Sequence, residues 1–221
     1  MKQSIENKDY EGWDDLRLPT IKSLKRRGFI PKAIRDFWID LGLSQKDISI
    51  SMQTIESFNS KNIDSTSPRR FFIKEPVEIK PVWTEENINI LNSIKFPNHP
   101  EKDKIDGFRK WAIKDSSEVI FIEKSDFGTT SKLRLKDFAD ISIVDSIATI
   151  ESIVRKDKRQ IIHWLSNSMA IKAILYVPNG NNINKYVGLI ENFELVEGGV
   201  YQFERVGFVK IEEIGDDGPI K

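Results

Sequence analysis

The sequence predicts an α+β protein: a small N-terminal helical bundle, then a mainly antiparallel β region folded as a tandem β-barrel. Three observations predict this. Residues 14–63 place apolar side chains at helical spacings. A cluster of Ser, Thr, Asp and Pro, "NIDSTSP" at 62–68, then breaks the period. Beyond it, short segments rich in Ile, Val and Phe recur between turn residues at barrel-like intervals.

The helical elements follow in order. "TIKSLKRRG" reads as a short helix with Ile21 and Leu24 inward and Gly28 ending it. In "PKAIRDFWIDLG", Pro31 suits the first helical position, where its missing N–H costs no bond, and Gly42 suits the C-terminal cap. Ile34, Phe37, Trp38 and Leu41 share one face, which places Trp38 in the core. Ser44 is positioned to cap a further stretch with Met52, Ile55 and Phe58 inward. The paired carboxylates of "GWDD", residues 12–15, read as a helix N-terminal cap.

The β region is read as "RRFFIKEPVEIKPVW", "EVIFIEK", "KLRLKDFADISIV", "ATIESIVR", "QIIHWL", "AIKAILYV", "YVGLIENFEL" and "VYQFERVGFVKI". "PNGNN" at 178–182 and "EGG" at 197–199 are strong turn signals. The domains expected are residues 1–66, helical, and 67–221, a proximal and a distal barrel.

Bulk properties narrow the function. The 221 residues are 39% hydrophobic and 31% charged, with 34 basic and 34 acidic side chains and no cysteine. That composition is globular, excludes a disulfide framework, and argues against a uniformly basic coat. No apolar run is long enough for a membrane helix and no signal-peptide core opens the chain, so the expected location is the cytoplasm.

The motifs of an enzyme are missing. No GxGxxG or GxxxxGK[ST] loop occurs, and the two histidines, His99 and His163, lie far apart. His163 in "IIHWL" reads as a core or barrel-rim histidine and His99 as a pin for its own loop. No metal site is expected. Charge, by contrast, is unevenly spread. Arg17, Lys22, Lys25, Arg26, Arg27, Lys32 and Arg35 follow one another without an acid, and Arg155–Lys172 has Asp157 alone against five basic residues. A lone run of this kind is usually a solvated helix face. Two separated islands suit a long anionic ligand touched twice, which favours RNA.

Several segments then fall into one order: "GWDDLRLPTIKSLKRRGF", "AIRDFWIDLGLSQKDISIS", "SPRRFFIKEPVEI", "PNHPEKDKIDGFR", "LRLKDF", "IIHWL" and "YQFERVGFVKI". In this order the chain resembles the C-terminal portion of archaeal-type glutamyl-tRNA synthetases and, more distantly, the glutaminyl enzymes. The resemblance implies a helical stem-contact domain followed by an anticodon-binding domain. It implies a tRNA-binding fragment of a glutamate–tRNA ligase whose catalytic domain, with its HIGH-like and KMSKS-like motifs, precedes it. Those motifs are absent here, so the fragment is expected to be inactive alone, with ATP and Mg2+ used by the parent enzyme and no cofactor by the fragment. Its partner would be tRNA-Glu or also tRNA-Gln, with no DNA or membrane partner.

The resemblance also nominates residues. Gln202 and Arg205 match the anticodon-contacting Q-x-x-R, and Arg69 of "SPRRFF" matches a further anticodon-side arginine. Lys158 and Arg159, before "IIHW", are expected at the anticodon, and Lys22, Lys25, Arg26 and Arg27 on the tRNA backbone, where contacts position without specifying. A regular strand sends residues three apart to opposite faces, so Gln202 and Arg205 need a bend between them or have separate roles. Gly207 offers a place for a bend. The structural alternative for Glu204 and Arg205 is a cross-strand ion pair on a barrel surface. Trp13 and Trp83 are candidate stacking platforms, whereas Trp111 and Trp164 are expected to pack. Two other readings stay open: a free-standing RNA-binding or regulatory paralogue, including a glutaminyl-type domain, and a protein-interaction scaffold.

Overall fold

The computed structural model describes residues 5–42, 49–101, 104–105, 107–215 and 220. Among the described residues, three helices precede fifteen short strands and a fourth helix lies among the strands, an α+β fold. α1 (Ile21–Arg26) starts where the Thr20 hydroxyl accepts the Ser23 N–H at 3.1 Å, and it stops at Gly28, whose φ of 86° reverses the chain. α2 (Pro31–Leu41) has Pro31 in its first turn and Gly42 at φ 67° as its cap. α3 (Met52–Ile63) is capped by Ser51, and the expected cap Ser44 lies outside the described residues.

Helices α2 and α3 pack through Phe37 and Phe58, edge to face at 5.7 Å. Buried Asn59 of α3 accepts the Ile30 N–H at 3.0 Å and donates to the Gly28 carbonyl at 3.3 Å, satisfying backbone that the helix ends leave open. Three expectations are corrected. Ile21 is 67% and Trp38 57% exposed, because α1 and α2 each meet a neighbour along a stripe narrower than their apolar residues span. "GWDD" caps no helix: turns occupy residues 13–14 and 16–17, and the next helix is capped by Thr20. Buried Asp15 instead closes a turn, accepting the backbone N–H groups of Glu11 and Arg17, both at 3.0 Å, and it pairs with the Arg17 side chain. The first five residues of "NIDSTSP" are helical: α3 runs through the first two and a 3₁₀ turn holds the next three.

From residue 69 the chain laces three sheets. β1 (Arg69–Arg70), β2 (Phe72–Lys74) and β3 (Pro76–Val82) each join a different one. Side-chain alternation sends Phe71 and Ile73 into the larger core and Phe72 into the smaller, so this segment is a wall common to both.

Between β3 and the next sheet strand lie α4 (Glu85–Ser93), a helix capped by Thr84 that the strand-rich reading overlooked, and the small ribbon of β4 (Phe96–Pro97) and β5 (Phe108–Arg109). The main sheet gathers β3, β6 (Ile120–Glu123), β7 (Lys132–Leu135), β8 (Asp140–Val144), β9 (Ile147–Ser152), β10 (Gln160–Ile162) and β11 (Trp164–Ser166). Its order is β10-β7-β8-β9-β3-β6-β11. The two edge strands are separated in sequence by His163 alone, so the sheet curls into a nearly closed barrel. Trp111 and Trp164 fill its centre with rings 4.7 Å apart, in contact with Phe71, Phe96 and Phe138.

The second β unit holds a long hairpin, β12 (Ala170–Asn179) and β13 (Asn182–Glu191), turned at Gly180 with φ 59°, and β2 pairs along it. β14 (Val200–Phe203) and β15 (Gly207–Lys210) form a second hairpin, and β1 runs parallel to β14. The two β units meet at a buried polar seam. Glu191, wholly buried, accepts from Arg109 at 2.6 Å, Trp111 at 2.8 Å and the Phe71 N–H at 3.3 Å. Arg70 beside it donates to three acceptors, among them the Phe193 carbonyl at 2.9 Å, and burial lowers its pKa from the ordinary value.

Candidate nucleic-acid interface

The Q-x-x-R segment is a hairpin, not one strand, and this resolves the parity of its side chains. The Val206 N–H donates to the Phe203 carbonyl at 3.0 Å, and Arg205 occupies the left-handed region at φ 68°. A type II turn requires positive φ at this position. The chain therefore reverses between Gln202 and Arg205, and the two side chains leave in different directions.

Arg205 crosses to the barrel and clasps Asp126, Nη1 to Oδ2 at 2.5 Å and Nη2 to Oδ1 at 3.0 Å, which raises the guanidinium's pKa further. Glu204 turns to Lys136 and to His163, whose Nε2 lies 3.4 Å away. Glu204 and Arg205 thus both form ion pairs, with partners on the barrel rather than on a facing strand, because the reversal points both residues at it. Burial pushes the Glu204 carboxyl up, but hydrogen bonds from His163 and Lys136 outweigh it and hold the pKa at about 2. His163 is buried and stacks on Phe71 at 4.6 Å, a rim histidine as expected.

Gln202 lies opposite Phe208 and alongside Arg69 in the sheet. Its backbone N–H bonds Pro68, while its amide makes no hydrogen bond among the described residues. It lines a cleft of about 470 Å³ between the helical region and the second β unit, together with Arg26, Arg27, Tyr176, Phe208 and Lys210. Across the mouth, Arg26 pairs with Glu212 at 2.5 and 3.1 Å, and Arg27 pairs with Glu56 at 2.6 Å.

A division by residue type runs through the nominated cations. Every arginine is held by a carboxylate: Arg26 and Arg27 as above, Arg69 by Asp64 at 2.6 Å, Arg205 by Asp126, and Arg159 by Glu151 at 2.5 Å and Asp157 at 2.6 Å. Arg159 also donates to the Ile141 carbonyl, and its two carboxylates raise its pKa. Lys22, Lys25 and Lys158 are exposed, and none forms an ion pair among the described residues. A guanidinium's planar fork matches a carboxylate and fixes one geometry, whereas a free ammonium remains a mobile point charge.

The pairing of these arginines with their acids escaped the sequence reading. Asp126 lies 79 positions from Arg205 and Glu212 lies 186 from Arg26, and no local period announces such pairs. Among the tryptophans, Trp111 and Trp164 are buried as expected. Trp83 is buried too, its indole N–H donating to the Glu118 carbonyl at 2.7 Å, which removes it as a stacking platform, while Trp13 stays 44% exposed. His99 does pin its loop, its Nδ1 accepting the Glu101 N–H at 3.0 Å. Among the described residues no helix is long and apolar enough to cross a membrane, and no cluster of His, Cys, Asp or Glu could hold a metal.

The site thus sets a polar hairpin on the rim of a nearly closed barrel, beside a cleft lined by Arg26, Arg27 and Lys210. Comparison with known proteins supplies the family. Residues 1–65 match the family model for tRNA synthetases class I (E and Q), catalytic domain, and residues 67–161 match the anti-codon binding domain of the same enzymes. The chain is 36% identical to a glutamate–tRNA ligase of Archaeoglobus fulgidus over 233 residues, 98% of this chain and 38% of that protein. It is 33% identical to the Pyrococcus furiosus glutamate–tRNA ligase over 229 residues, again 98% and 38%, and 34% identical to that of Methanococcoides burtonii over its whole length and 38% of the relative. The chain belongs to the E and Q family of class I tRNA synthetases and spans about two fifths of the length of these curated relatives.

Proposed function

We propose that this region binds tRNA as part of a glutamate–tRNA ligase, holding the inner side of the molecule with its helical region and the anticodon loop with its β units. The observation that carries this reading is the match of residues 67–161 to an anticodon-binding domain, folded here as a nearly closed barrel that a Gln202/Arg205 hairpin meets at its rim. Exposed Lys22, Lys25 and Lys158 supply phosphate contacts, and Arg26 and Arg27 edge the cleft through which the RNA passes. Gln202, whose amide makes no hydrogen bond among the described residues, and Arg205 read splayed bases from different sides of one turn, while Arg69 and Arg159 contribute from within their ion pairs. Splayed single-stranded bases are what sequence-specific RNA recognition targets. Joining glutamate to tRNA with ATP and magnesium belongs to the whole ligase, and this region contributes selection of the RNA.

The test is binding of the 221-residue chain to a tRNA-Glu transcript and to transcripts altered at single anticodon bases, across a salt series. Affinity should fall linearly on logarithmic axes as salt rises, and the unaltered transcript should bind most tightly. Binding insensitive to salt would favour a protein-docking role instead.

A further inference from the structure

We propose that Asp126 is the positioning residue of a base-reading subsite in which it aligns two side chains, Arg205 and Gln160, against one nucleobase. This rests on the tRNA-binding reading and adds to it a buried acid and a second reading group.

Asp126 is 1% exposed and lies in the turn after β6. A carboxylate removed from water needs partners for both oxygens. Here Oδ2 accepts from Arg205 Nη1 at 2.5 Å, and Oδ1 accepts from Arg205 Nη2 at 3.0 Å and from Gln160 Nε2 at 2.9 Å. Three segments distant in the chain converge on this one group: the turn after β6, the first residue of β10, and the tip of the β14–β15 hairpin.

What the clasp leaves open matters as much. A guanidinium has two bidentate edges. Asp126 takes the end formed by Nη1 and Nη2. The Nε–H makes no hydrogen bond among the described residues, so the side edge of Nε–H and Nη–H remains available, and the arginine side chain is 39% exposed. Gln160 gives its amide N–H to Asp126, and its carbonyl oxygen likewise makes no hydrogen bond among the described residues. The subsite therefore presents a pair of parallel donors and, on the same anchor, an acceptor. Its ligand is a splayed base with two adjacent acceptors, such as the N7/O6 edge of guanine or the O2/N3 edge of cytosine. Anchoring the fork beforehand removes the entropy of ordering a long side chain when the base arrives. The alternative role, a brace between hairpin and barrel, needs the same ion pair but predicts no preference for any base.

The experiment measures affinities of the full chain for the tRNA-Glu transcript and for single-base anticodon variants, with thermal melts in parallel. Asp126→Asn, Arg205→Lys and Gln160→Ala should each lower discrimination at the same one anticodon position, by about ten-fold for the first two, the scale of one good bidentate contact. Arg205→Lys keeps the charge, so its salt slope should stay that of the parent. It removes no buried group, so it remains informative if Asp126→Asn fails to fold. The proposal is overturned if Arg205→Lys retains full discrimination, or if Gln160→Ala and a folded Asp126→Asn change all transcripts equally. In that event salt-dependent tRNA binding persists and the broader reading stands. If the parent chain shows no salt-dependent tRNA binding, both readings fall.

Discussion

Replacing Glu204 with glutamine should destabilise the protein in a pH-dependent way that the structure specifies. In the folded state Lys136 and His163 hold this carboxyl at about 2, against an ordinary value of 4.5. A group whose pKa is depressed on folding stabilises the native state above its unfolded pKa, and that stabilisation fades as pH falls toward the folded one. The drop from 4.5 to about 2 corresponds to about 3 kcal/mol at neutral pH, at about 1.4 kcal/mol per tenfold change in proton affinity. Partial exposure of the side chain makes about 2 kcal/mol a fair expectation. Urea titrations of the parent and Glu204→Gln should therefore differ by about 2 kcal/mol at pH 7 and by about 1 kcal/mol or less near pH 3. Comparing the two chains cancels the other carboxylates, which titrate in both. A gap that stays constant from pH 7 to pH 3, or no gap at pH 7, would refute the assignment of Glu204 as the tie between hairpin and barrel.

Other perturbations probe the seam, the shared wall and the surface. Glu191→Gln or Arg109→Met leaves one buried charge without its partner and should cost about 3–5 kcal/mol in chemical denaturation. In Gly188→Ala the new Cβ would lie 2.4 Å from the Ile73 carbonyl oxygen and 2.6 Å from the Phe72 ring, so the shared wall must shift. A loss of about 2 kcal/mol or more is expected, read as a lower melting temperature. Lys25→Ala should weaken binding about equally for every transcript and flatten the salt dependence by about one ion, leaving the melting temperature within error.

Much of the fold was legible in the chain because local rules produced it. Pro31 and Gly42 bracket α2 for reasons of φ alone, and "PNGNN" turns the long hairpin through Gly180. The alternation of Phe71, Phe72 and Ile73 was visible as β pattern, but nothing in it told that the two faces belong to different cores. Trp38 shows where the period misled: helical spacing identifies a face, and only the packing of a neighbour decides how wide a stripe of that face is covered. Helix α4 was overlooked for the complementary reason, since nine residues between strands carry too short a periodic signal.

By itself, the sequence determined that helices precede a strand-rich region, the turns at 178–182 and 197–199, the uneven spread of positive charge and the family to which the chain is similar. These depend on residue type and short-range spacing. The tertiary structure alone decided which cations are free. It clamped Arg205 on Asp126 and Arg26 on Glu212 across 79 and 186 positions, turned "VYQFERVGF" into a hairpin that separates Gln202 from Arg205, and buried Glu191 against Arg109. Charge pairing acts over a few ångströms of space and takes no account of distance along the chain, so which acid neutralises which arginine emerges only once the barrel has closed and the hairpin has docked on its rim.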